Sequence, residues 1–162
     1  MSFNVTLVLC DKMLVSSSTL AAEIFNFAQS LAMATAHPTR DLEVRRVSTD
    51  DLAVTTSSGF EIQPTHCLNE SFRSDLIHLP AIWRNPRPII NRSERLLDWI
   101  SKQHRLNTIF TAVGTGVCFL AESGLLDNKP VTTHWHYFDQ LKKSYPNVFL
   151  QRQHFTTKTG NI

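Results

Sequence analysis

The stretch TAVGTGVCFLAESGLLDNKPVTTHW, residues 111–135, has the layout of a nucleophile elbow: a strand, a Gly-rich turn, a helix, then a short strand ending in His134. In such an elbow a Ser or Cys stands at the strand-to-helix turn, where helix amides favour an anion. That position holds Gly114. Glycine carries no atom to attack a carbonyl, so covalent catalysis from this turn is excluded, and binding or sensing is favoured over turnover.

The neighbouring chemistry is sparse. Cys118 sits one helical turn beyond Gly114, about 6 Å deeper, among Val117, Phe119 and Leu120, and reads as a small core residue. Cys10 closes the first strand and is expected to be the more accessible thiol. His134 either reaches a ligand or is held by nearby backbone. With His136 it forms a His-x-His pair, but no third metal ligand is in view and Trp135-His136 begins a turn. Trp83 and Trp135 flank the expected crevice, either as the wall of a small-molecule pocket or as aromatics that close the core or an oligomer interface.

The elements that must position these residues alternate strand and helix. Phe3, Val5, Leu7, Val8 and Leu9 make a strand buried on both faces. Ser16, Ser17 and Ser18 are candidate caps for a helix whose buried stripe is expected to be Leu20, Ile24, Phe27, Ala28 and Leu31, with His37-Pro38 ending it. Leu42, Val44 and Val47 make a second strand. Two short alternating runs around Ser58-Gly59 make a hairpin. Residues 75–80 form a strand and 94–104 a helix with Leu96, Leu97 and Ile100 on one stripe. Strands follow at 108–113 and 130–134, then a helix over 138–143 and a last strand over 148–153. This order predicts an α/β fold with a mostly parallel, doubly wound, flavodoxin-like sheet, helices on both faces and a small β-hairpin insertion. Ligands in such sheets bind beyond the carboxyl ends of the strands, near Cys10, Asp11, Ala81, Ile82 and Gly114.

At 162 residues, 42% hydrophobic and 19% charged, the chain is the size of one ordinary globular domain. A net charge of +2 argues for neither nucleic acid nor anionic membrane as the direct partner, and the basic run RNPRPIINRSER reads as a solvated helix approach. The apolar run after Met1 is too short for a signal or anchor. Three Cys at irregular positions suit reduced thiols in the cytoplasm.

The stretch 109–148 resembles the amidotransferase-like domain at the N-terminus of AraC-type transcriptional regulators, a branch of the PfpI-type class I glutamine amidotransferase-like superfamily. The resemblance rests on Gly114-Thr115-Gly116, Leu120-Ala121, Gly124-Leu125-Leu126-Asp127, Thr132-Thr133-His134-Trp135 and Tyr145-Pro146. Weaker echoes are Leu20 to Phe25, which carries Glu23, and Ser58-Gly59 followed by Pro64. In enzymatic members the elbow Cys works with the His after the next strand and an acidic residue of the first helix; here those positions are Gly114, His134 and Glu23. Where such enzymes often have two Gly whose amides hold an oxyanion, this chain has Pro80-Ala81-Ile82-Trp83.

The resemblance implies a non-catalytic sensor and dimerisation domain with a ligand pocket built from Gly114, Thr115, His134, Glu23, Ala81, Ile82 and Trp83. Its effector is expected to be amino-acid-like or a small carboxylate or amine, with no cofactor and no metal. The expected partner is a second copy. DNA is expected to be contacted through a C-terminal helix-turn-helix domain that these residues do not contain, and residues 1–162 are expected to be the sensor domain, the polar tail FTTKTGNI ending within or just after it. The alternatives are a free-standing PfpI-like hydrolase, glyoxalase-type or stress-response enzyme using Cys10 or Cys118, and a purely structural dimerisation module.

Overall fold

The computed structural model describes residues 2–35, 41–68 and 72–162. Four strands, β1 (Phe3–Leu9), β2 (Leu42–Ser48), β5 (Leu76–Leu79) and β6 (Ile109–Ala112), form a parallel sheet in the order β2-β1-β5-β6. Val5 of β1 pairs with Val44 on one side and Leu76 on the other, and Leu76 pairs in turn with Ile109. From Val5 to Leu9 the central strand is buried throughout, as its unbroken apolar run predicts. Because β2 lies to one side of β1 and β5 to the other, the winding reverses between β1 and β5, where ligand crevices of open sheets form. The hairpin is β3 (Val54–Thr55) with β4 (Glu61–Ile62), antiparallel, Gly59 supplying φ +82° at its turn.

Between β1 and β2 runs α1 (Val15–Ala34), and its packing differs from expectation. Ser18 is buried, and Ala21, Ala22, Phe25, Gln29 and Ala32 are half-buried, while Leu20, Ile24, Phe27 and Leu31 are exposed. The helix is apolar on both flanks, so periodicity cannot choose the phase; the small side chains of Ser18, Ala21 and Ala22 allow the closer approach to the sheet. None of the three serines caps it: the N-cap is Leu14, with no side-chain bond. The stop expected at His37-Pro38 lies outside the described residues.

The connection from β5 to β6 runs through a one-turn helix α2 (Arg87–Ile90), not expected from the sequence, and α3 (Glu94–Arg105). Leu96, Trp99 and Ile100 of α3 are buried in the core and Leu97 is half-buried, as its stripe predicts. After β6 come a 3-10 turn (Gly114–Gly116) and α4 (Val117–Glu122). Six residues of helix advance the chain only about 9 Å, and β7 (Pro130–Val131) does not rejoin the main sheet. It pairs in parallel with β8 (Phe149–Leu150), reached through α5 (Phe138–Ser144). The tail then returns to the edge of β6, where the Phe110 amide donates to the Asn161 carbonyl at 2.7 Å. Among the described residues no helix is long and apolar enough to cross a membrane.

Candidate functional site at the elbow

The turn after β6 has the backbone form of an elbow, with Gly114 at the strand-to-helix step. Gly114 has φ +49°, a conformation that costs an L side chain energy. A Cβ built on Gly114 would lie 3.6 Å from the Ala81 Cβ and 3.9 Å from the His134 Cβ, ordinary contact distances. The three positions that would carry nucleophile, oxyanion loop and His therefore do meet. Two residues on, a Cβ at Gly116 would fall 2.4 Å from the Pro80 carbonyl oxygen, so only glycine lets α4 start this close to β5.

What closes the site is the hydrogen bonding of the loop after β5. The Ile82 amide donates to the Thr115 hydroxyl at 2.8 Å, and that hydroxyl donates to the Ile82 carbonyl at 2.7 Å. The Ala81 amide donates to the Ser17 hydroxyl at 3.1 Å. Both amides that could have faced an oxyanion are thus engaged inside the protein. The crevice between β1 and β5 is also laced shut: Leu14 donates to the Ala81 carbonyl at 2.8 Å and Trp83 to the Lys12 carbonyl at 2.9 Å. Ser17, at the first turn of α1, is the residue of that helix beside the elbow, a role sequence reasoning gave to Glu23. The signal was its place directly after the β1 loop. Glu23 is exposed and lines neither cavity described below.

His134 is exposed, and its Nδ1 accepts from the His136 amide at 3.3 Å, capping a 3-10 turn (Trp135–Tyr137). That bond puts the proton of the neutral ring on Nε2. The His134 ring stacks on Trp135 at 5.4 Å between centroids. Trp135 and Trp83 are both largely exposed, so neither closes the core of this chain.

The DJ-1/PfpI family model matches residues 7–157. The chain belongs to the DJ-1/PfpI family. This DJ-1/PfpI chain is 28% identical over 109 residues to the HTH-type transcriptional regulator CdhR of Pseudomonas aeruginosa, a match covering 67% of the chain and 32% of the regulator. It is 35% identical over 101 residues to the isonitrile hydratase of Pseudomonas putida, covering 62% of the chain and 43% of that protein. These matches span less than half the length of either curated relative. The crystal structure of an AraC family transcriptional regulator from Pseudomonas putida superposes on 96% of the chain and 79% of its own with a TM-score of 0.72 at 21% identity, which establishes a shared fold.

Within this DJ-1/PfpI fold a cavity of about 650 Å³ runs from the elbow along the edge of β6, between β7 and the C-terminal tail. Gly114 and His134 stand at its elbow end, Val113, Val117 and Val131 give it apolar walls, and Thr132 and Thr133 add hydroxyls. Thr115, Ala81, Ile82 and Trp83 are not among its lining residues; the first three are buried and Trp83 is exposed. A second, smaller cavity of about 130 Å³ lies where β1 and β2 end, beside Cys10, Asp11 and Asp50. Its carboxylates already serve loop amides, Asp11 that of Thr55 at 3.0 Å and Asp50 that of Leu52 at 3.2 Å.

The thiols of this DJ-1/PfpI chain correct one expectation. Cys10 is buried rather than accessible, because the strand end is covered by the β1 and β3 loops, and burial, then the Asp11 charge, pushes its pKa up to about 12. Cys118 is buried as expected, and burial likewise raises it to about 12. Such thiols are not thiolates at neutral pH. Cys67 is the exposed one. Beneath the elbow helix, Glu122 accepts from Arg87 and from the Tyr145 hydroxyl, each at 2.8 Å, tying α4 to α2 and to the end of α5. With Arg95 bonded to Asp51 at 2.9 Å, much of the basic run is paired. Among the described residues no cluster of three or more His, Cys, Asp or Glu is arranged to hold a metal.

Proposed function

We propose that this chain is a non-catalytic, ligand-sensing and dimerising domain of an AraC-type transcriptional regulator, the DNA-binding helix-turn-helix lying in a further domain of the parent protein, in the cytoplasm. The observation that carries this reading is the pairing of a side-chain-free elbow, Gly114, with loop amides bonded to Ser17 and Thr115. Nucleophile and oxyanion donors are missing together, while the fold and the space around them remain. Identity to the HTH-type regulator CdhR supports the regulatory context. The effector enters the elbow end of the 650 Å³ cavity, a space suited to an amino-acid-like molecule or a small carboxylate or amine, with His134 Nε2 and threonine hydroxyls as polar contacts. Its differential affinity for two domain arrangements would set the output.

The test is a thermal-shift screen against amino acids, betaines, polyamines and small carboxylates, since a ligand of the native state raises Tm. A rise that is lost in His134→Ala supports a sensor pocket, and no rise with any compound removes it. The 35% identity to isonitrile hydratase favours a second reading, an enzyme with a displaced thiol. It requires a Cys10 or Cys118 thiolate, and pH-dependent alkylation of the native chain tests for one.

A further inference from the structure

The charge on the wall of the cavity along β6 is one-sided. Lys158 and His134 are its ionisable side chains, and among the described residues no acidic side chain lines it. Val113, Val117, Leu120 and Val131 give it apolar area. Two of its hydroxyls, Thr133 Oγ1 and Thr159 Oγ1, are buried without a hydrogen-bond partner among the described residues. A buried hydroxyl left unpaired costs stability that a bound acceptor restores. An ammonium placed there meets no carboxylate side chain, whereas a carboxylate meets donors and a lysine.

A third hydroxyl of the wall, that of Thr111, is tied to a buried imidazole. His78 pairs with Thr111 across β5 and β6. The Ser17 carbonyl can only accept, so its 2.8 Å bond to His78 Nε2 places a hydrogen on that nitrogen. In the neutral ring Nδ1 then accepts the one hydrogen of the Thr111 hydroxyl, at 2.9 Å. Thr111 is exposed and lines the cavity, yet its hydrogen is spent inside the protein. The groups facing the ring are uncharged: Leu7 from β1, Thr111 from β6 and the Ser17 backbone from α1, whose single charged residue, Glu23, is exposed. On the cavity side the titratable groups are Lys158 and His134.

We infer that this cavity takes a short aliphatic carboxylate and that Thr111 and His78 couple its binding to the uptake of one proton. The inference rests on the sensor reading above and narrows its ligand class. A carboxylate that accepts from Thr111 turns that hydrogen into the cavity and leaves Nδ1 without a donor. A proton from solvent on Nδ1 restores the balance: the imidazolium donates to Ser17 through Nε2 and to the Thr111 oxygen through Nδ1, and Thr111 donates to the carboxylate. Burial lowers the pKa of the ring from the ordinary 6.5, so in the chain alone it is neutral at neutral pH. The nearby carboxylate raises it, so affinity grows as the pH falls. The imidazolium also strengthens the bond to Ser17, whose hydroxyl holds the Ala81 amide, which carries binding to the first turn of α1 and the loop after β5.

The experiment is isothermal titration calorimetry of the 162-residue chain with isovalerate, and with isopentylamine as a cation of the same carbon skeleton, in two buffers of different protonation enthalpy. Isovalerate is expected to bind at least about tenfold more tightly than the amine, with net proton uptake at neutral pH. Its affinity rises several-fold between about pH 7.5 and about pH 6. Thr111→Val, at an exposed position, removes most of the uptake and weakens binding. His78→Gln, which cannot take a proton, flattens the pH dependence, with circular dichroism as the folding control. His134 is unchanged in all three chains, so the difference between them reads His78. If His78→Gln does not fold, Thr111→Val and the buffer comparison on the unsubstituted chain still decide. Tighter binding of the amine, binding of isovalerate without proton uptake, or uptake unchanged in Thr111→Val overturns the inference and leaves the sensor reading standing. Binding of neither compound overturns it as well, and the sensor reading falls with it only if the wider thermal-shift screen is silent.

Discussion

One hydroxyl, that of Thr115, both accepts from the Ile82 amide at 2.8 Å and donates to the Ile82 carbonyl at 2.7 Å. The residue directly after Gly114 thereby fastens the loop that follows β5. Thr115→Val keeps the shape and orphans two buried backbone groups, which costs about 2–4 kcal/mol. Thr115→Ser keeps the bonds and costs less. Urea denaturation midpoints of the two variants check this; equal midpoints would show that the bond carries no stability.

The two elbow glycines should respond oppositely to one methyl. Gly116→Ala drives a Cβ to 2.4 Å from the Pro80 oxygen and 2.8 Å from that of Leu79, both backbone atoms that cannot step aside, so a loss of about 3 kcal/mol or more is expected. At Gly114 the nearest atoms are 3.6 Å away, and Gly114→Ala costs only the positive φ, about 1–2 kcal/mol. Melting temperatures in one buffer rank the pair.

Restoring the thiol should not restore an enzyme. Gly114→Cys fits beside Ala81 and His134 and gives an alkylatable thiol, but with the Ala81 and Ile82 amides bonded to Ser17 and Thr115 it gains no hydrolytic turnover. Steady release of product from an activated ester, beyond a single acylation burst, would contradict this.

Thiol labelling offers a direct count. Of the three cysteines, Cys67 is exposed, whereas Cys10 and Cys118 are buried with pKa values pushed to about 12. The native chain should therefore react with a disulfide reagent at one thiol quickly, and at the other two only as fast as it unfolds.

Acid stability should reflect His78. Its Nε2 donates to the Ser17 carbonyl at 2.8 Å, the Thr111 hydroxyl lies 2.9 Å from Nδ1, and burial lowers its pKa from the ordinary 6.5. The unfolded chain then binds the proton first, so the stability this buried neutral ring supports is full above pH 6.5 and falls as the pH drops below it toward the folded value. His104, lowered mainly by burial, adds in the same direction. Denaturant midpoints from pH 8 to 5 should fall below about 6.5, and less steeply in His78→Asn.

Much of this was legible from residue order alone. β1 declared itself because a strand buried on both faces needs an uninterrupted apolar run, and α3 because its stripe Leu96, Leu97 and Ile100 stands against a charged opposite face. That the turn at position 114 carries no side chain was equally a property of one letter, Gly114, since no fold can supply a side chain that the chain lacks. The tertiary structure decided what depends on approach. It chose which flank of the two-sided apolar α1 meets the sheet, because only packing distance separates Ala22 from Ile24. It also decided that Ser17 rather than Glu23 reaches the elbow loop, that Cys10 is covered, and that the Ala81 and Ile82 amides are engaged. Each of these joins residues far apart in the chain, and hydrogen-bond partners across such separations are set by where the sheet brings its strand ends, which no local pattern encodes.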